Sequence, residues 1–303
     1  MNPDLDTLAT RLYVTIDDLL IDHPRVGSAA ANRWDRPEAH RCRVAHPRRV
    51  AGTTRLHVRS PVHPSRHAHL RPWFPYLPDR PGYNKRLRRA GHVMQHVIAA
   101  LARACPSWND DLWMVDSTPV ECGRSRETVK RSDLAGWATY GYCASHSRFF
   151  WGLRLHLIVT PSGLPVAYAL AGAKTDERDT ALDMICLNPE LLRPGQVLMA
   201  DKGYRRADFE AELTTAGITL IRPTFGKDKP RPHQRFLRPF RQIIESVNQT
   251  LKAQLDLERH GGRTKPGVCA RVLQRLLALT AAIWHNETSS RPGPARSLLA
   301  YDH

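Results

Sequence analysis

Three acidic residues stand where local pattern gives a carboxylate something to do. Asp116 follows the apolar run LWMV (112 to 115), Asp201 follows QVLMA (196 to 200), and Glu245 lies beside the apolar stripe of a long helical segment. Open α/β sheets carry ligands beyond the carboxyl ends of their strands, so two strand-end aspartates are placed for chemistry. Hard divalent cations take oxygen ligands, and two such ions about 4 Å apart can stabilise both the entering and the leaving oxygen of an in-line phosphoryl displacement. That chemistry needs acids converging from separate elements, which two strands and a helix would supply. Taken singly, each residue also has an ordinary reading. An Asp after a strand is commonly a turn or cap residue, and a helical Glu with Arg241 at i−4 and Lys252 at i+7 is commonly part of a solvated ion-paired face. Those three lie on one side of a regular helix, and that side is either a surface or a site.

The elements needed to position these acids are legible in order. LWMV reads as a buried strand that ends at Asp116 and is stopped by Pro119. FFWGLRLHLIVT (149 to 160), the turn PSGLP and VAYAL (166 to 170) form a hairpin. A helix capped by Thr175 or Asp176 runs to Ile185, QVLMA is a second buried strand, 207 to 217 is a helix closed by Gly217, and 218 to 223 is a strand closed by Pro223. A long helix spans 235 to 258, with Phe240, Ile244, Val247, Leu251 and Leu255 at helical steps, and His260-Gly261-Gly262 ends it. The order is that of a mixed α/β sheet flanked by helices, occupying 106 to 258. Around it lie an amphipathic helix within 1–23, a basic helical region at 67–105 with Val93, Val97, Ile98 and Leu101 on its apolar side, and a C-terminal helix and polar tail in 259–303. His156, on an apolar strand, reads as a satisfied core histidine.

Composition narrows the partner. Of 303 residues, 45 are Lys or Arg against 29 Asp or Glu, a formal charge of +16, which favours a polyanion. No apolar run approaches the roughly 18 residues of a membrane span, and the acidic start lacks the layout of a signal peptide. A cytosolic, nucleic-acid-binding protein is the expectation. Six scattered cysteines give neither a disulfide framework nor a zinc ribbon.

The segments VDSTPV, FFWGLRLHLIVTPSGLPVAYAL, ADKGY and FRQIIESVNQTLKAQ resemble, in order, the DDE-type transposases of bacterial insertion sequences, most closely insertion-sequence family nine-eight-two. The resemblance covers about 70 to 285 and the first twenty residues. It implies an RNase H-like fold, with Asp116, Asp201 and Glu245 binding Mg²⁺ or Mn²⁺, two ions in all. It further implies cleavage at the terminal inverted repeats, attack of the freed 3′-hydroxyl on target DNA, a homodimer or higher oligomer on DNA, and residence with the bacterial nucleoid. Related enzymes carry a tyrosine, an arginine, the glutamate and a lysine on one helix with two, three and six residues between them. Arg241, Glu245 and Lys252 keep the last two gaps, and Arg238 stands at the tyrosine position. Lys252 and Arg241 would hold phosphate or neutralise developing charge. Lys202, Tyr204, Arg235, Arg238 and Arg241 near the site, and Lys85, Arg86, Arg88 and Arg89 in the basic helix, are the candidate DNA contacts, with a generic basic face as the alternative for each. An RNase H-like nuclease would use the same acids, and a degraded copy would bind DNA without transposing.

Residues 24–66 stand apart. Leu, Ile, Met, Phe and Tyr make up 64 of the 303 residues, yet Leu56 is their one representative in these 43. Ten Arg against Asp35 and Glu38 make the stretch +8. It reads either as an arginine-rich disordered arm or, preferred here, as translation in a shifted frame between two compensating small insertions or deletions. The second reading implies impaired activity.

Overall fold

The structure is a computed structural model that describes residues 3–23, 26, 80–143, 147–188, 190–224, 237–289 and 293–301. The anomalous stretch lies outside them apart from Val26. Helices α1 (Pro3–Asp22), α2 (Arg80–Arg89) and α3 (Gly91–Arg103) precede a mixed sheet of β1 (Leu112–Gly123), β2 (Thr139–Cys143), β3 (Arg148–Val159), β4 (Pro165–Gly172), β5 (Val197–Met199) and β6 (Thr219–Ile221). The short α4 (Arg126–Lys130) lies between β1 and β2, α5 (Glu177–Cys186) follows β4, and α6 (Ala207–Thr215) joins β5 to β6. Helices α7 (Leu237–Gln249) and α8 (Lys265–Thr288) close the described core. A mixed sheet between helices is the arrangement expected of an RNase H-like fold.

β3 is the spine. It pairs antiparallel with β1 on one side and with β2 and then β4 on the other, while β5 and β6 extend the sheet beyond β1 in parallel. Its residues from Leu153 to Val159 are buried apart from half-buried Arg154, as a strand covered on both faces requires. Alternation then sorts the core into two layers. Leu153, Leu155, Leu157 and Val159 join Met114 and Val120 in a cluster with α3, α7 and α8. Ile158 joins Trp113, Val115, Ala181, Met184, Phe209 and Leu213 in a cluster with α5 and α6.

Two sequence expectations need correction. β1 does not stop at Asp116. It continues through Pro119 to Gly123, so Asp116 sits in mid-strand, opposite Leu157. The reason is one-sided pairing. β5 meets only Leu112 to Met114, and the Asp111 carbonyl accepts from Val197 N–H on that side, so odd-numbered residues of β1 turn toward β5. Pro119 is odd, and the N–H it lacks would point to the edge that β5 has already vacated. Second, the long helix is regular only to Gln249. A π-helical turn follows over Thr250–Gln254, and Asp256 at φ 60 ends it before His260.

Local chemistry agrees elsewhere. Asp176 caps α5, its carboxylate accepting from the N–H groups of Arg178 and Asp179. Gly217, at φ 72, closes α6. α8 carries an 18-residue window apolar enough to cross a membrane by length and composition, and 72% of that window is buried inside the fold, as in a core helix. The N-terminal helix is fastened to it: Arg11 donates to Ser289 Oγ at 2.6 Å and Thr288 Oγ1 at 3.0 Å, and its guanidinium lies 4.5 Å from the centre of the Trp284 ring.

Candidate active site

The early end of β5 creates the site. Among the described residues no strand pairs with the β5-facing edge of β1 past Met114, and Asp201 follows two residues after Met199, where β5 ends. α7 covers the same end of the sheet with Leu237, Ile244 and Val247 buried beneath it. A cavity of about 90 Å³ opens between them, lined by Asp116, Asp201, Arg241 and Glu245 over a floor that includes Met114, Met199 and Ile244. Several waters or a hydrated ion fit such a space. The three sequence-predicted acids therefore line one cavity although 85 and 129 residues separate the second and third from the first.

The acids differ in exposure and partners. Asp116 is part-buried, and its Oδ2 accepts a 2.9 Å hydrogen bond from Asn248 Nδ2. Asp201 caps a 3₁₀ turn, accepting from Gly203 N–H at 2.7 Å. Glu245 is exposed, 3.8 Å from the Arg241 guanidinium one helical turn before it. Burial pushes the Asp116 carboxyl up to about 7, and the negative charges of Asp201 and Glu177 add to this; the Ser117 N–H and the Asn248 amide oppose it. Glu177, at the first turn of α5, is thus a fourth carboxylate within electrostatic reach. Its Oε1 accepts from Ser117 Oγ at 2.6 Å and pairs with Arg154 Nη1 at 3.0 Å, while Arg154 also donates to Ser117 Oγ at 2.9 Å.

The other predicted residues divide. Arg238 and Arg241 are exposed and line the outer mouth together with Glu245, and Lys202 is exposed next to Asp201. Lys85, Arg86, Arg88 and Arg89 are exposed on α2, whose Tyr83 and Leu87 are buried. Arg235 lies outside the described residues. Tyr204 must be corrected as a DNA contact, because it is fully buried. Its hydroxyl finds no hydrogen-bond partner among the described residues, and burial, followed by the charges of Glu177, Asp116 and Asp201, raises its pKa well above the usual value. Lys252 is half-buried and falls inside the π-helical turn, where regular α-helical spacing from Arg241 and Glu245 no longer applies, and it is not among the residues lining the cavity. His156 is a core residue with 0% exposure, as expected, but among the described residues neither ring nitrogen has a partner, and burial holds its pKa down to about 3.

Sequence reasoning missed Asn248, Ser117, Arg154 and Glu177. Asn248 carried a signal, since a position three after Glu245 shares its helical face. Ser117 adjoins Asp116. Nothing local marks Arg154 or Glu177, because their partners come from across the sheet.

The donor chemistry suits a hard divalent cation: all-oxygen, acidic, recessed, and with no cation within ion-pairing distance of Asp116 or Asp201 among the described residues. Among those residues no three His, Cys, Asp or Glu side chains stand close enough together to hold an ion as they lie. Glu245 lines the same cavity and lies 3.8 Å from the Arg241 guanidinium. No curated protein matches the chain. A family model described as the transposase DDE domain matches residues 108–281, a span that holds the whole sheet, the cavity and its acids. That span exceeds half the chain, and the chain belongs to the family of the transposase DDE domain.

Proposed function

We propose that this chain is the transposase of an insertion sequence of family nine-eight-two, cutting one DNA strand at the terminal repeats of its element and joining the freed end to target DNA. The observation that carries the reading is that Asp116, Asp201 and Glu245, from a strand, a strand end and a helix, line one solvent-connected cavity. These residues would hold two Mg²⁺ or Mn²⁺ ions, which when bound lower the pKa of water and stabilise charge on the entering and leaving oxygens. Water breaks the phosphodiester at the element end and leaves a 3′-hydroxyl. That hydroxyl attacks a phosphorus of the target and expels the 3′-oxygen of the target strand. The protein's part is positional: Arg238 and Arg241 at the mouth and Lys202 beside Asp201 are exposed cations that hold the phosphates on either side of the reacting one. The exposed basic face of α2 adds a second strip of phosphate contact, and the assembly on DNA is a homodimer or larger.

The decisive measurement is cleavage of a duplex carrying the element's ends. With Mg²⁺ present, Asp201→Asn should lose more than about 100-fold in rate, since even outer residues of a metal site are worth 10- to 100-fold. A variant that cuts at the parent rate would sink the assignment. Joined products, as opposed to cuts alone, separate a transposase from an RNase H-like nuclease. The shifted-frame reading of 24–66 is tested apart from this. One of the other two reading frames across codons 20 to 70 should encode a leucine-rich, helix-patterned segment, and restoring it should raise activity on element ends.

A further inference from the structure

We infer that Asn248 is a positioning residue for Asp116: its neutral amide holds one carboxylate oxygen in place and leaves the charge of that carboxylate available to a cation. The inference deepens the reading above, which makes Asp116 a metal ligand.

The geometry begins with α7. Ile244 and Val247 are buried against the sheet, which fixes the helix's rotation and turns Glu245 and Asn248, three apart, toward the open edge of β1. Asn248 Nδ2 then reaches Asp116 Oδ2 at 2.9 Å across 132 residues of sequence. Among the described residues this is the side-chain hydrogen bond Asp116 makes, and no Lys, Arg or His forms an ion pair with it. The alternative ways of holding a recessed carboxylate are instructive. Glu177, a few residues away in space, is held by the Arg154 guanidinium at 3.0 Å. An arginine there neutralises the acid it holds and would compete with any incoming cation. An amide orients without neutralising. Among the described residues the Asn248 Oδ1 is buried with no partner, so the amide is not sited to satisfy itself. A lone buried amide oxygen is an uncompensated cost of folding, which fits a side chain fixed by the needs of Asp116. The regular helix ends one residue later, and the π-helical turn over Thr250–Gln254 follows directly. Such turns recur where a helix must re-aim side chains at a functional site.

The test uses the full-length protein and MnCl₂, with two readouts: the upward shift in Tm that Mn²⁺ produces, and the Mn²⁺ concentration giving half-maximal cleavage of end-bearing DNA. Asn248→Leu keeps the shape without the donor. It should raise the half-maximal Mn²⁺ concentration by about 10-fold or more and shrink the Mn²⁺-induced Tm shift, with cleavage recovering as Mn²⁺ is raised. Asn248→Gln, which keeps the amide, should fall between Leu and the parent. A merely structural residue would behave differently. Asn248→Leu would then lower the Tm of the metal-free protein while leaving the half-maximal concentration and the Mn²⁺-induced shift unchanged, and that result overturns the inference. Asp116→Asn keeps the two levels distinguishable. If it abolishes both readouts and Asn248→Leu changes neither, the positioning role alone is wrong. If Asp116→Asn itself leaves both at parent values, the underlying reading of the site has failed, and this inference with it.

Discussion

Asp116 and Ser117 are neighbours on one strand, yet the two faces of the sheet treat charge in opposite ways. On the α5 and α6 face, Glu177 is paired with Arg154, and Asp176 is paired with Arg178 and Arg206. The Arg178 side-chain hydrogen bond, reinforced by two N–H groups at the helix start, pulls the Asp176 carboxyl down to about 2. On the α7 face, Asp116 is recessed, beside further negative charge, and held by an amide, and its pKa rises to about 7. One face is electrostatically closed and the other is open. Uncompensated charge is unfavourable for folding unless something binds it, so the open face is where the molecule has room for a cationic ligand.

The contrast can be broken at several levels. Asp116→Asn should have the largest effect, removing cleavage by more than about 100-fold while leaving the metal-free protein as stable as the parent or more so. Cleavage assays paired with thermal melts read both. Disturbing the closed face should do the reverse. Arg154→Leu strands Glu177 and the Ser117 hydroxyl, both part-buried, and should cost about 1–3 kcal/mol in chemical denaturation. Its effect on the half-maximal Mn²⁺ concentration should be smaller than that of Asn248→Leu.

Proton linkage gives the next test. Asp116 titrates at about 7 in the folded protein against 3.8 as its ordinary value, so the native state holds this proton more tightly than the unfolded chain does. Its contribution to stability is complete below about pH 3.8 and disappears as pH rises through about 7. The metal-free parent should therefore lose stability across that window relative to Asp116→Asn, which cannot titrate. Cation binding needs the carboxylate, so Mn²⁺ binding near pH 6 should release about one proton, as heats measured in buffers of different ionisation enthalpy would show. Asp176 runs the other way: what it contributes is present above its ordinary carboxylate value and is lost as pH falls through about 2. The smallest expected effect is that of Tyr204→Phe. Removing a buried hydroxyl with no partner should be neutral or stabilising by less than about 1 kcal/mol, and a clear loss of stability would mean that the hydroxyl is bound in solution.

Much of this was readable before any coordinates. The hairpin of β3 and β4, the Asp176 cap, the Gly217 stop and the buried α7 positions Ile244 and Val247 are local patterns, and they appear where the sequence puts them. The errors share a cause. Pro119 was read as a strand stop because a proline interrupts a ladder, but whether an N–H is needed depends on which neighbour is present, and β5 ends at Met199. Nearness in sequence to Asp201 says nothing of burial, and Tyr204 is fully buried; helical spacing likewise presumes an unbroken α-helix, which ends before Lys252. β2 was missed because TYGYC is short and half-exposed, with its partner strand supplying the pairing.

The sequence alone determined most of the order of the elements, the placing of Asp116, Asp201 and Glu245 beside apolar strand and helix patterns, and the excess of positive charge, because periodicity, capping and composition are properties of neighbouring residues. Tertiary structure alone decided that Asp116 sits at an unpaired edge in mid-strand, that Glu177 is held from behind by Arg154, and that Asn248 reaches Asp116. Those facts depend on where one strand stops beside another and on how a helix is rotated against a sheet. Both are set by packing between segments more than a hundred residues apart, where no local pattern reaches.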